Sequence, residues 1–211
     1  MTTIDLSQIL NERMPVYPGT EQPVFREATT IERDGFAEKL LSLYSHTGTH
    51  MDAPAHILTA AKSLDDFGID TFIGRGRVLD ATGLSGRISK KLVTAELRDS
   101  KGIDFLLIYT GWSAKWGEPG YFDDFPVCDD GAIRYIAERG LKGLGVDCIS
   151  VDPVGSTEMP NHRALLSREM VIIENLCNLD KLMGRDFQFC CFPLKIENAD
   201  GSPIRAVALV E

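Results

Sequence analysis

No two cysteines stand in a CxxC spacing, no apolar run approaches the roughly 20 residues that span a bilayer, and no cluster of lysine and arginine occurs anywhere in the 211 residues. The first absence, with an odd total of five cysteines, leaves no zinc-ribbon or disulfide-framework signal. Cys128, Cys148, Cys177, Cys190 and Cys191 therefore read as mostly buried, reduced, small apolar residues, and adjacent Cys190 and Cys191 would point to opposite faces of a strand. The second absence argues against a membrane partner. The third, with 22 basic against 31 acidic residues and a formal charge of −9, argues against nucleic acid, whose binding draws on clustered cations. The net charge says little about a small-molecule substrate, because a bound cation can dominate the field of its own cleft.

Other signals are missing too. No glycine-rich dinucleotide or P-loop fingerprint opens a helix, and Gly74-Arg75-Gly76-Arg77 reads as a turn or bulge. Ser42, Ser45 and Ser156 lie outside any GxSxG elbow, which makes a covalent serine mechanism unattractive. Met1-Thr2-Thr3-Ile4-Asp5 is not a basic leader followed by an apolar run, so a cytoplasmic location is expected.

What is present is ordinary globular composition, 44% hydrophobic and 25% charged, without repeats or low-complexity linkers. One domain over residues 1–211 is expected. Strands are predicted over 4–10, 37–44, 71–80, 105–110, 143–149 and 170–173, the last ending at Glu174. The continuous apolar run at 105–110 has the form of a strand covered on both faces. Helices are predicted over 89–97, with Ser89 as N-cap, and over 130–139, stopped by Gly140. Residues 187–196, 198–201 and 204–210 resemble a long hairpin closed by a polar turn. Strands outnumber helices, which predicts an α/β or α+β fold around a mixed sheet.

The chain has four histidines, and three of them, His46, His50 and His56, fall within eleven residues together with Asp52. Alone, each imidazole is better read as a satisfied core or surface group, and Asp52 before Ala53-Pro54 as a turn former. Grouped, they favour a metal site. His46 and His50 are four apart, and His50 and Asp52 two apart. Gly48 supplies backbone freedom between the first two and Pro54 disfavours a helix at Ala53. A tight turn would bring His46, His50 and Asp52 to one point. Imidazole with carboxylate suits Zn²⁺, Mn²⁺ or Fe²⁺; the segment has neither the glutamate of an HExxH helix nor the oxygens of a calcium loop. Trp112, Tyr121, Phe122 and Phe125 read either as a pocket lining or, with more weight, as core or subunit-contact aromatics.

The segment His46-Thr47-Gly48-Thr49-His50-Met51-Asp52-Ala53-Pro54-Ala55-His56 resembles the HxGTHxDxPxH pattern of the cyclase family, which includes kynurenine formamidases (arylformamidases) and isatin hydrolases. Similarity continues through Met14-Pro15-Val16-Tyr17-Pro18-Gly19, Tyr109-Thr110-Gly111-Trp112, Gly145-Val146-Asp147, Ser150-Val151-Asp152-Pro153 and the stretch from His162 to Glu174-Asn175-Leu176. The resemblance implies a swivelling β/β/α fold and a homodimer or homotetramer. It also implies one or two divalent ions, zinc or manganese, per subunit. His46, His50 and Asp52 would hold one ion, and Asp52 would bridge to a second held by His162 and Glu174. His56 would be the general acid/base. Tyr17 falls where the formamidases carry an aromatic, usually Trp, that contacts substrate. The residues themselves leave Glu174 open between a cleft carboxylate and a solvated edge charge, and His162 between a ligand and the start of a helix. The implied activity is metal-dependent hydrolysis of a small amide, formamide or lactam C–N bond. An isatin-type or other cyclic amide or ester is the alternative substrate, and a metal-binding module without catalysis the alternative class.

Overall fold

The structure, a computed structural model, describes residues 1–84, 86–98 and 102–210. Its frame is a nine-stranded mixed sheet in the order Thr2–Asp5, Val207–Val210, Phe187–Cys190, Ile73–Asp80, Phe105–Tyr109, Gly143–Val146, Val171–Glu174, His50–Asp52 and Gly201–Pro203. The four strands from Ile73–Asp80 to Val171–Glu174 run parallel, and antiparallel strands flank them on both sides. This is a mixed α/β fold, as predicted.

Alternation along the parallel strands divides the core in two. Leu106, Ile108, Leu144, Val146 and Ile172 point to one face and are covered by Lys90–Leu97, Asp130–Ala137 and Pro160–Leu166. Phe105, Leu107, Val171 and Ile173 point to the other face, where they meet Leu6, Phe72, Phe187, Phe189 and Val210. Around this second core the sheet curls. The backbone of Leu6 bonds Ala206 at one end and Cys177 at the other, and Ile204 bonds Thr49. Ser89 caps its helix as expected, its side chain accepting from Leu92 N, and Asp129 likewise caps the next, accepting from Ala132 N, satisfying otherwise orphaned amides.

Several expectations are corrected. The first strand is Thr2–Asp5 and stops short of residues 6–10. The third parallel strand ends at Val146, and 147–150 peel away from the sheet. The glycines of Gly74-Arg75-Gly76-Arg77 lie inside a strand, where a Cβ on Gly76 would overlap the Phe187 ring and one on Gly74 would overlap the Asp104 side chain. The predicted hairpin holds from Phe187↔Val210 through Cys190↔Val207 to the bridge Pro193↔Ile204, and only its far end departs. The chain between travels across the curl so that Gly201–Pro203 pairs with His50–Asp52. Predicted strand 37–44 appears as Glu38–Ser42, paired with Val24–Thr29 in a separate ribbon.

Gly143 sits opposite Phe105 and Val171 in the middle of the sheet. A Cβ there would lie 2.8 Å from the Val171 carbonyl oxygen and 3.0 Å from Phe105 Cε1. Gly143→Ala is expected to lower unfolding free energy by about 1–3 kcal/mol through overpacking. A urea midpoint equal to that of the parent, at unchanged slope, would refute this close approach.

Candidate metal centre

Strand periodicity sets the first part of the site. On His50–Asp52, Met51 enters the curled core while His50 and Asp52 face the helical side. The antiparallel register places Glu174 directly opposite His50, and Ile172 opposite Asp52, so Glu174 shares their face. Gly48, at φ +64°, turns the preceding chain back over this face and delivers His46; a Cβ at Gly48 would overlap Leu10 Cδ2. After Asp52, Pro54 opens a short 3-10 turn, Pro54–His56, that brings in His56.

His162 arrives on the first turn of Pro160–Leu166, so it begins a helix, as one of its sequence readings had it, and that turn also brings its ring to the site. The helix has no N-cap side chain of its own. Asp152 caps it instead, accepting from the backbone amides of Asn161 and His162 at 3.0 Å each and from His162 Nδ1 at 2.8 Å.

The predicted ligands converge. Asp52 Oδ1 lies 2.7 Å from His46 Nδ1 and 3.3 Å from His50 Nε2. Asp52 Oδ2 lies 3.6 Å from His162 Nε2, and Glu174 lies 3.4 Å from both His50 Nε2 and His162 Nε2. Two donor sets capable of holding an ion share Asp52: His46 with His50, and His162 with Glu174. A third set, His46, His56 and Asp200, is half-buried.

Two observations test whether these residues suit a divalent cation. Asp52 Oδ2 is buried without any hydrogen-bond partner, a costly state for a carboxylate oxygen unless a cation meets it. Each imidazole of the two sets that share Asp52 also has its outward nitrogen anchored: His50 Nδ1 donates to Gly48 O at 2.9 Å, His162 Nδ1 to Asp152, and His46 Nε2 to Asp200 Oδ2 at 2.9 Å. Carbonyl and carboxylate oxygens only accept, so these bonds place protons outward, the arrangement that orients metal-ligating histidines. The residues fit the ion.

Charge divides the imidazoles. Burial alone would lower the His46 pKa, but Asp200 and Asp52 together raise it to about 10. Burial acts the same way on His162, and Asp152 and Glu174 raise it to about 10. Asp52, despite full burial, is held well below the usual carboxylate range by His46 and His50. His56 goes the other way. Burial, unmatched by any close carboxylate, pushes it down to about 4, and it stacks on His46 at 3.9 Å between ring centres.

The four imidazoles line one pocket of about 280 Å³ with Asp52, Glu174 and Asp200, and its other walls include Tyr17, Tyr44, Ile149 and Met159. Tyr17 is held by its hydroxyl, which accepts from Gly155 N at 3.2 Å. Tyr121 and Phe125 belong to the helical core, with Trp112 and Phe122 packed against it, and none of them lines this pocket. Sequence reading missed Asp200, taken as part of a polar turn. It also quoted Asp152 without giving it a role. Neither stands near a histidine in sequence.

The family model described as "Putative cyclase" matches residues 4–153. A kynurenine formamidase of Geobacillus thermodenitrificans (strain NG80-2) is 34% identical over 207 residues, covering 96% of this chain and 95% of that protein. The structure of isatin hydrolase A from Ralstonia solanacearum superposes with a TM-score of 0.85 at 26% identity, covering 100% and 92% of the two chains. A protein described as a potential metal-dependent hydrolase with cyclase activity gives 0.82 at 27% identity, over 98% and 96%.

Without an ion, His46 and His162 carry protons at neutral pH, because their raised values near 10 lie above it. Ligation needs neutral imidazole. Adding Mn²⁺ to the metal-free chain at pH 7.5 should therefore release protons, and affinity should rise as pH increases from 6 to 9. Calorimetry in buffers of different ionisation enthalpy measures this; a heat independent of buffer would contradict it.

Proposed function

The chain belongs to the cyclase family, and from that premise we propose that it is a metal-dependent hydrolase of a small amide, formamide or lactam C–N bond. The reading rests above all on the buried, unpartnered Asp52 Oδ2 at the meeting point of two donor sets. His46, His50 and Asp52 hold one divalent ion, zinc or manganese; Asp52, His162 and Glu174 hold a second where two are bound. An ion in that position supplies a Lewis acid that lowers the pKa of water toward about 7 and polarises a carbonyl.

The chain's own residues do the rest. His56 is neutral across the physiological range, so it is free to accept the proton of the attacking water. The closest carboxylate oxygen, of Asp200, is 3.8 Å from its Nδ1, too far for a direct hydrogen bond, so the ring can take that proton and hand it to the departing nitrogen. Tyr17, fixed by Gly155, forms a wall against which a substrate ring packs. Kynurenine formamidase-like aryl formamides are the first substrate class, and isatin-like lactams or esters the second. The open pocket beside a neutral His56 favours catalysis over a non-catalytic metal-binding module. Among the described residues no helix is long and apolar enough to cross a membrane, in keeping with a small-molecule enzyme of the cytoplasm.

The active species is a homodimer or homotetramer. The ribbon Val24–Thr29 with Glu38–Ser42 buries none of its residues and exposes Leu40 and Leu41, while Phe36 and Tyr44 beside it are also exposed. A two-stranded ribbon is marginal in water without a covering surface. Light scattering should report two or four chains; a mass of one chain at micromolar concentration rules this assembly out.

His56→Asn should cut turnover on N-formylkynurenine or isatin by roughly 10²–10⁴ with bound metal nearly unchanged. Asp52→Ala should lose metal and activity together. Metal analysis beside the assay decides. Full activity in the first variant, or full metal content in the second, removes the role assigned.

A further inference from the structure

Seven residues other than glycine have positive φ among the described residues, and most do so for reasons their type or place explains. Asp124, Asn175, Asn178 and Asn198 are of the two types that tolerate left-handed backbone. Ala60 and Glu169 stand exposed. Met159 fits neither case. It is half-buried at φ +44° and ψ +55°, and it alone of the seven is followed by proline, Pro160. A residue before proline is steered toward extended backbone, and a left-handed bend costs a side-chain-bearing residue free energy that glycine does not lose.

The side chain on this bend lines the pocket of the metal centre, together with Tyr17, Tyr44 and Ile149. The loop that ends in Met159 is fastened at several points. Gly155 N donates to the Tyr17 hydroxyl at 3.2 Å, Arg163 Nε to Glu158 O at 2.9 Å and Arg163 N to Met159 O at 3.0 Å. Backbone strain persists only where the surrounding structure fixes it. What is fixed here is a polarizable thioether, a group that packs well against aromatic rings.

We propose that Met159 is a specificity-determining residue, held on a left-handed bend so that its side chain packs against the aromatic ring of the substrate. The proposal deepens the hydrolase reading and rests on it for the identity of the ligand. The competing account gives the bend a structural task alone, starting Pro160–Leu166 with His162 facing the pocket, and makes the side chain incidental.

Three variants separate these accounts. Met159→Ala removes the side chain and keeps the cost of the bend, Met159→Gly removes both, and Met159→Leu restores apolar bulk. In the Mn²⁺-loaded protein, the Ala and Gly variants should each raise KM for N-formylkynurenine and isatin about tenfold, with kcat within about twofold and metal content unchanged. Met159→Leu should hold KM within about threefold of the parent. Met159→Gly should unfold at a higher urea concentration than Met159→Ala at equal slope, because glycine adopts the bend freely. The Gly variant therefore carries the kinetic test even where the Ala variant fails to fold. Parental KM in Met159→Gly overturns the proposal. So does a urea midpoint for Met159→Gly below that of Met159→Ala, or a loss of bound metal in Met159→Gly. Calorimetric binding of isatin tells the two readings apart. If nothing is turned over but isatin binds about tenfold more weakly to both truncated variants, the hydrolase assignment fails and the ring contact stands. If both substrates are turned over with parental KM in both variants, the hydrolase assignment stands and the ring contact fails.

Discussion

Asp52 and Glu174 are carboxylates buried beneath three imidazoles, and much of the structure around them serves to hold negative charge where water cannot reach it. Removing a carboxylate from water costs several kcal/mol unless opposite charge and hydrogen bonds replace the lost hydration. Here the compensation is layered. Val151 N donates to Glu174 Oε1 at 3.0 Å. His46 and His50 approach Asp52 Oδ1, and His162 approaches the remaining oxygens. Even so, Asp52 Oδ2 has no donor. In the absence of an ion, the raised protonation of His46 and His162 supplies the missing positive charge, so protons occupy the electrostatic role that the proposed cation takes over.

That arrangement depends on parts of the chain far apart in sequence. The central parallel strands make a floor buried on both faces, and the strand that carries Glu174 is held between Gly143–Val146 and His50–Asp52. Asp152 fixes His162 while capping its helix, so one carboxylate both starts the helix and aims the imidazole. Asn175, at φ +60°, donates from Nδ2 to Gly48 O and accepts on Oδ1 from the buried Tyr121 hydroxyl. The Gly48 carbonyl that anchors His50 is therefore itself anchored to the helical core. Asp200 reaches His46 only because the last part of the chain crosses the curled sheet and lays Gly201–Pro203 along His50–Asp52. The fit is close: a Cβ on Gly201 would come within 2.5 Å of the His46 ring.

What could be read from the sequence follows from these distances along the chain. His46, His50 and Asp52 were legible because they are neighbours, and strand alternation with one glycine turn suffices to join them. His162 and Glu174 carried no such local signal, lying more than a hundred residues from His50, and only the family resemblance singled them out. The paired acceptors Asp152 and Asp200 had no histidine beside them in sequence, and turn residues of their type are common for purely local reasons. Among the elements, the buried strand Phe105–Tyr109 and the capped helix Lys90–Leu97 matched because composition and capping act locally. The far end of the hairpin expected after residue 187 did not, since nothing local in a turn tells that Gly201–Pro203 also pairs with His50–Asp52.

The opposed shifts of neighbouring imidazoles carry the argument from structure to roles. Between ring centres His56 lies 3.9 Å from His46 and 6.0 Å from His162, yet the outer two are pushed up to about 10 and His56 down to about 4. The difference is geometric. His46 and His162 each hold carboxylates at 2.7–2.9 Å, whereas the nearest carboxylate oxygen to His56 is 3.8 Å away, too far for a direct hydrogen bond. Groups whose environments drive their proton affinities apart are suited to different tasks. Under the proposed roles, carboxylate-bound imidazoles are oriented as ligands would be, and the neutral one beside them is the group left to carry a proton.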